Sequence, residues 1–399
     1  MLRTVPQYLS TLTDTYGLTK TLGVINVCTH PNGEPIFYVG NNSVIFLVEH
    51  EGIRKRLKCY TRDKRNLRRI YGDRCLRKEL FVHSTTFRGE WVDVVLDDWV
   101  EGITLHQAIQ NNLSNPEALR SLAESFDRLA MQLLSEPWAQ GDLKPENIVV
   151  KSDGALQLID FDAMYLPNFT EEDCEEIGTP TFQHPDRTAE FFNKSIDDYP
   201  IALISTAMHA MSIDPSLAEE YDTIDQLLFH PKEILEGTSE AFERVVRLFA
   251  AEGYAIHYRI AQLLRSATPN LPTLPVMLGY AIDQADRMLH GQDAGDNREL
   301  TSDNIELDHH NGLWGYRRGN EFVIPPVYNS GFDFSEGVAA VSIGNHHHYI
   351  DPMGRVAIKC PNYTAIKSFR NGEAIIVEDG VRKRIDHSGA ILGIAPNNK

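Results

Sequence analysis

The chain has 399 residues and a net charge of −18, from 38 Lys and Arg against 56 Asp and Glu. That balance argues against a general binder of nucleic acid or of anionic membranes, whose phosphate-rich surfaces would repel it. With 42% apolar residues the chain can build a sizeable core and two or three domains, and its five scattered cysteines (Cys28, Cys59, Cys75, Cys174, Cys360) suit neither a disulfide framework nor metal-ligand spacing. The stretch from Met1 to Tyr16 lacks the apolar core of a signal peptide, and the longest apolar region, Tyr199 to Met211, is too short to span a bilayer. A reducing, cytoplasmic setting is the expectation.

From about Thr21 to Val100 the pattern is that of strands with one helical interruption. Pro35–Gly40 and Val44–His50 read as a hairpin through Gly40-Asn41-Asn42-Ser43, Glu51-Gly52 as a turn, and Arg54–Tyr60 as the next strand. Asp63–Gly72 places Leu67, Ile70 and Tyr71 at helical spacing. Leu80–Thr86 and Trp91–Leu96 return to strand character around a turn at Arg88-Gly89. Beyond Ile103 the pattern turns helical. Ser114-Asn115-Pro116-Glu117 is a helix start, followed by one apolar face of Leu119, Leu122, Phe126, Leu129 and Leu133. Asp197–Ser212 is apolar nearly all round and predicts a buried helix, and Thr238-Ser239-Glu240 opens another that Gly253 closes.

The densest chemistry lies between Ala139 and Tyr165. Asp142 is followed by Lys144 and Asn147, then by a short strand, Ile148-Val149-Val150. A turn at Asp153-Gly154 leads into a second strand, Ala155–Ile159, which ends on Asp160-Phe161-Asp162. In an antiparallel hairpin the start of one strand lies beside the end of the other, so Asn147 and Asp160 share one end. Carboxylate and amide oxygens suit hard magnesium, and Asp142 just upstream is placed to orient a hydroxyl.

These residues resemble the catalytic and metal-binding loops of protein kinases, H-R-D-L-K-x-x-N and D-F-G, which read here as Gln140 to Asn147 and as Asp160-Phe161-Asp162. The resemblance implies an α+β, bilobal protein-kinase-like fold over residues 1–290. Its β-rich N-lobe would span about 20–98 and its helical C-lobe about 103–290. It implies ATP and Mg2+ as cofactors. Asp142 would orient or deprotonate the substrate hydroxyl, Lys144 would steady the phosphoryl group, and Asn147 and Asp160 would hold magnesium. Lys58 would hold the nucleotide phosphates, Gly40 would remain from the phosphate-covering loop, and Asp98 and Val100 would offer hinge backbone groups to adenine. Gly178 to Asp186 (GTPTFQHPD) resembles the end of an activation segment, and Asp197 matches an aspartate that ties its helix to the catalytic loop.

Departures accompany the likeness. Arg56 stands where a small residue usually faces adenine, the helix after Lys58 has no glutamate to pair with it, and Asp162 replaces the glycine of D-F-G. Gly141 replaces the arginine that clamps a phosphorylated loop, which implies activity without such phosphorylation. Charge is also uneven: thirteen Lys or Arg against five acids between Glu51 and Glu90, and the reverse in Glu171-Glu172-Asp173-Cys174-Glu175-Glu176. Two solvated faces would explain this; docking of the acidic loop, or of an acidic partner, on the basic region, with Arg65, Arg68 and Arg69 as the residues to test, is the sharper reading.

His290–His310 is polar and acidic, and residues 291–311 read as a linker. Beyond it a period of 35 sets in: Phe334, Gly337 and Ala339 recur as Phe369, Gly372 and Ala374, and Ile350, Asp351 and Gly354 as Ile385, Asp386 and Gly389. With Trp314-Gly315-Tyr316 this resembles the bacterial WG-repeat family, here a small β-rich domain at 312–399. A protein partner bound through the repeats is what that resemblance implies. His346-His347-His348 reads as a polar loop. The expected activity is transfer of the ATP γ-phosphoryl to a Ser or Thr hydroxyl of a protein. A nucleotide-binding or empty scaffold that presents the repeats is the first rival, and a kinase acting on a small-molecule hydroxyl is the second.

Overall fold

The computed structural model describes residues 3–13, 19–40, 42–72, 75–82, 90–223, 226–290, 302–360 and 362–396. The turn expected at Arg88-Gly89 lies outside them. The architecture is mixed α/β, with several small antiparallel sheets and β repeats at the C-terminal end.

The first sheet has six strands. Ser43–His50 pairs with Ile53–Tyr60 along its full length, with Ile25–Val27 and Phe37–Val39 on its other side. Glu90–Asp98 pairs with Ile53–Tyr60 and carries Cys75–Val82 at the far edge. Helix Val5–Thr13 covers one face, where Tyr8 and Leu12 pack with Phe46, Val48, Leu57 and Val94. The sequence reading missed this helix, although Val5, Tyr8, Leu9 and Leu12 have helical spacing. The helix after Ile53–Tyr60 is also shorter than expected, Leu67–Tyr71.

The helical unit is built around Asp198–Ile213, which is buried over nearly its whole length and lies against Pro116–Ser135. Asn115 caps the latter by accepting from Ala118 N at 3.1 Å. Ser239 and Gly253 bound Glu240–Glu252 as expected. The buried helix opens on two adjacent carboxylates, and burial pushes Asp197 up to about 6 and Asp198 up to about 7. Ionised Asp198 is therefore disfavoured in the fold. Its contribution to stability is complete below pH 4 and is lost as pH rises through 7. Asp198→Asn keeps an acceptor for Leu271 N, which is 2.9 Å away. That variant should match the wild type near pH 4 and exceed it at pH 7 by on the order of 3 kcal/mol in urea denaturation. A difference that stays constant from pH 4 to 7 contradicts this.

The C-terminal region forms three small sheets, and the predicted period is visible in their registers. Ala339 faces Ile350 in one sheet and Ala374 faces Ile385 in the next. The Tyr316 hydroxyl donates to Phe332 O and that of Tyr349 to Lys367 O. Gly315 is required where it stands, since a Cβ would lie 2.6 Å from Ile324 O.

Two expectations are corrected here. Residues 306–310, read as linker, form strand Glu306–His310 paired with Leu313–Arg318. His346–Ile350 is a strand, not a polar loop, and His348 is buried with its ring nitrogen 2.7 Å from Ala250 O. Nor do the repeats hang free. Tyr316, Ile324, Val327, Val341 and Ile350 share one core with the helices, and Arg259 donates to Val327 O at 2.7 Å.

Candidate functional site

The hairpin that carries the motif forms with Ile148 opposite Leu158 and Val150 opposite Leu156. Ile159 N donates to Asn147 O at 2.9 Å, so Asn147 and Asp160 do meet at one end. Gln140 joins the two sides: its side chain donates to Asp160 O at 2.5 Å and accepts from Asp142 N at 2.8 Å. Beneath it, Asp197 accepts from Gln140 N at 2.5 Å and Gly141 N at 2.9 Å. This is the expected tie to the buried helix; Asp197 does not cap that helix with its side chain. Gly141 is demanded sterically, with φ of 84° and a Cβ that would lie 2.0 Å from Ala163 O.

Asp142, Lys144 and Asn147 form one cluster. Asn147 Nδ2 donates to Asp142 O at 2.8 Å and Oδ2 at 3.2 Å. Lys144 Nζ lies 3.6 Å from Asp142 Oδ2 and donates to Thr179 Oγ1 at 3.0 Å. Thr179 N in turn donates to Asp142 Oδ1 at 2.5 Å. The Gly-Thr-Pro segment is thereby pinned to the loop that carries Asp142. Asp186, which ends that segment, is exposed.

Lys58 comes from the sheet. It is 1% exposed, and its Nζ lies 2.7 Å from Asp160 Oδ1 and 2.8 Å from Asp162 Oδ2. Burial alone would pull its pKa down, but Asp160 and Asp162 outweigh burial and hold it above the ordinary lysine value. Burial pushes Asp160 up, but Lys58, Arg56 and the Asp162 N–H together hold it below the ordinary aspartate value. The acid that the short helix fails to provide is therefore Asp162. Tyr60 and Tyr71 donate to Asp162 Oδ1 at 2.9 and 2.5 Å. Burial drives both phenols well above their usual range, helped at Tyr60 by Tyr71 and Asp162 and at Tyr71 by Asp162 and Asp160, so they remain donors. Asp162 stands where the motif has glycine, the residue of left-handed backbone. In fact the left-handed residue is Asp160, with φ of 61°.

The remaining predicted residues lie around the cleft. Gly40 sits in the hairpin turn with an ordinary φ, and a Cβ would meet Ser43 Oγ at a relaxed 3.6 Å. This turn does not need glycine, and its Asn42 bonds Glu176 at 2.9 Å. Asp98 is exposed and pairs with Lys55. Val100 borders a cavity of about 420 Å3 that Arg56, Asp97, Trp138, Leu158 and Phe161 also line. Arg56 is buried and bonds Asp97 at 3.0 Å.

The acidic loop does dock on the basic region. Glu175 accepts from Arg65 N and Asn66 N at 2.9 and 3.1 Å, Glu176 pairs with Lys64 at 2.6 Å, and Asp173 pairs with Arg69 at 2.5 Å. Arg68, expected in this contact, is exposed and outside it.

The donor set suits magnesium. Among the described residues, Asn147 Oδ1 and Asp160 Oδ2 accept no protein hydrogen bond, because Asn147 engages Asp142 through its nitrogen and Asp160 engages Lys58 through its other oxygen. Two uncommitted hard oxygens at one hairpin end are what that ion prefers.

Comparison with known proteins gives two findings. A family model for WG-containing repeats matches residues 317–345 and 349–381, so the C-terminal region carries WG repeats. The cAMP-dependent protein kinase type 3 of Saccharomyces cerevisiae is 28% identical over 128 residues, 31% of this chain and 31% of that protein. The chain thus spans about a third of the length of that relative.

Proposed function

We propose that the chain is an ATP- and Mg2+-dependent phosphotransferase of bilobal, protein-kinase-like design, acting on Ser or Thr hydroxyls of a protein. One observation carries this reading: Gln140 joins Asp142 to Asp160, so the candidate base and the candidate metal ligand belong to one hydrogen-bonded unit. The link between Thr179 and both Asp142 and Lys144 supports a protein substrate, since it orders the segment against which a peptide would lie.

In this reading Asp142 accepts or orients the hydroxyl proton, and its Oδ2 is kept in place by the Asn147 amide. Lys144 offers positive charge to the phosphoryl group as it moves. Asn147 and Asp160 hold the magnesium, which neutralises charge on the phosphate oxygens when bound. Lys58 holds nucleotide phosphates. Asp162 retains Lys58 when Asp160 turns its oxygens elsewhere, which is the part the missing glutamate would otherwise play.

The test is transfer from labelled ATP with magnesium to mixed protein substrates. Asp142→Ala and Asp160→Ala should each lower transfer by at least about 10³-fold. Label appearing only in small molecules would favour a kinase of metabolites. A scaffold that recruits partners through the repeats is the second reading, and Arg56 favours it: a buried guanidinium paired to Asp97 stands on the face of the strand that carries Lys58. ATP binding in a thermal-shift assay without any transfer would decide for that scaffold.

A further inference from the structure

Away from the cleft, three helices of the helical unit bring an unusual set of side chains together. Asp127 lies in Pro116–Ser135, His209 in Asp198–Ile213 and His257 in Ala255–Leu263. All three are buried, at 2%, 3% and 9% exposure. Each offers one ligand atom within 4.8 Å of the others. His209 Nε2 is 2.8 Å from Asp127 Oδ2, His257 Nε2 is 3.7 Å from that same oxygen, and the two imidazole centroids are 3.7 Å apart. Ser205 Oγ donates to the other Asp127 oxygen at 2.7 Å.

An ordinary buried Asp–His hydrogen bond accounts for only part of this. It satisfies His209 Nε2 but leaves His257 Nε2, 3.7 Å from the same carboxylate oxygen, buried without a hydrogen-bond partner among the described residues. A buried imidazole nitrogen that faces a carboxylate from beyond hydrogen-bond reach calls for a ligand between them. A transition-metal ion sits about 2.0–2.2 Å from imidazole nitrogen and carboxylate oxygen, which places neighbouring ligand atoms roughly 3–3.5 Å apart. The observed 2.8 and 3.7 Å straddle that spacing. The serine hydroxyl supplies the outer hydrogen bond that orients a ligating carboxylate. The three residues also border a cavity of about 500 Å3 between the helices and the WG repeats, which leaves room for further ligands.

We propose that Asp127, His209 and His257 bind one divalent transition-metal ion of the zinc class at the junction between the helices and the repeats. Two imidazoles and one carboxylate favour zinc, cobalt or nickel over the oxygen-seeking magnesium. This site is therefore chemically distinct from Asn147 and Asp160, and nothing in it depends on the phosphotransfer reading.

The experiment uses the full chain, stripped with chelator and titrated with Zn2+ and separately with Co2+. The expected result is one ion per chain with a Kd of about 1 µM or tighter, and a visible Co2+ absorption of low-symmetry, imidazole-ligated type. His209→Ala with His257→Gln should weaken zinc binding by at least about 100-fold. His346→Ala with His347→Ala, which alters the other histidine cluster, should leave it unchanged. Zinc should also raise the Tm of the wild type and not of the first variant. No stoichiometric zinc or cobalt on folded wild type overturns the proposal, and so does binding that persists in the His209/His257 variant. Should that variant fail to fold, the wild-type stoichiometry and Co2+ spectrum decide alone.

Discussion

Asp162→Gly, which restores the glycine usual in D-F-G, is expected to impair the protein rather than improve it. Asp162 supports Lys58 through one oxygen at 2.8 Å and satisfies two tyrosine hydroxyls through the other. Its backbone is not in the left-handed region, so glycine brings no conformational relief. Removing it leaves the Tyr60 hydroxyl without this acceptor and leaves Lys58 dependent on Asp160 alone. Losing one partner of a buried ion pair costs about 3–5 kcal/mol when the other charge is stranded; with Asp160 still present roughly 2–3 kcal/mol is expected in urea denaturation. For transfer we expect kcat/KM for ATP to fall about 10- to 100-fold, which corresponds to about 1.4–2.8 kcal/mol. Asp162→Asn separates the two duties. It keeps an acceptor for the tyrosines but turns an amide hydrogen toward Lys58, so it should recover most of the stability and little of the transfer. Equal recovery of both would show that Asp162 serves the fold only.

The second large effect is expected at Glu175. Three acids of the segment touch the basic region, but they are unequal. Arg69–Asp173 is a partly exposed pair, worth about 0.2–1 kcal/mol, whereas Glu176 accepts from the more enclosed Lys64 and from the Asn42 amide through one oxygen. Glu175 is 14% exposed and its carboxylate accepts from two backbone N–H groups, Arg65 N and Asn66 N. Hydrogen bonds to a charged group are worth about 1.5–3 kcal/mol, so Glu175, bonded to rigid backbone rather than to long side chains, is a main fastening. Glu175→Ala should speed proteolytic cleavage between Leu166 and Gly178 at least about 10-fold and lower transfer by a similar factor. Arg65→Ala, whose guanidinium is 3.8 Å from Glu175, should change each by less than about 3-fold. Arg65→Ala exceeding Glu175→Ala would mean that the exposed charges, not the backbone donors, hold the segment. Because carboxylates occupy this position permanently, the segment is fastened without a phosphate, in line with Gly141 standing where an arginine clamp is usual.

What the sequence made legible was local. The hairpin, with Asn147 and Asp160 at one end, followed from strand length and an Asp-Gly turn, and the buried helix and its neighbours followed from periodicity and capping residues. The repeat period survives as matching registers, Ala339 to Ile350 and Ala374 to Ile385. What stayed hidden depended on contacts between distant segments. Asp162 could not be recognised as the partner of Lys58, since the two are 104 positions apart and only the folded cleft joins them. Asp127, His209 and His257 have no motif spacing, being brought together by helix packing alone. The reading of residues 306–310 as linker failed because charge and histidine on an edge strand look like a solvated tether, whereas pairing with Leu313–Arg318 satisfies their backbone.

The shared core of helices and repeats has a consequence for how such a chain can vary. Modules joined like beads on a string can be exchanged one at a time, but here the seam is carved on both sides. At Gly253 a Cβ would lie 2.2 Å from a methyl of Val356, so a change on either surface must be answered on the other. The outermost sheet, Tyr363 to Ile394, escapes that bargain: its Ile366, Phe369 and Ile376 close a second core against Tyr349 and Ile358. Sequence change can therefore accumulate on that outer rim while the inner wall, bound to the helices, holds still.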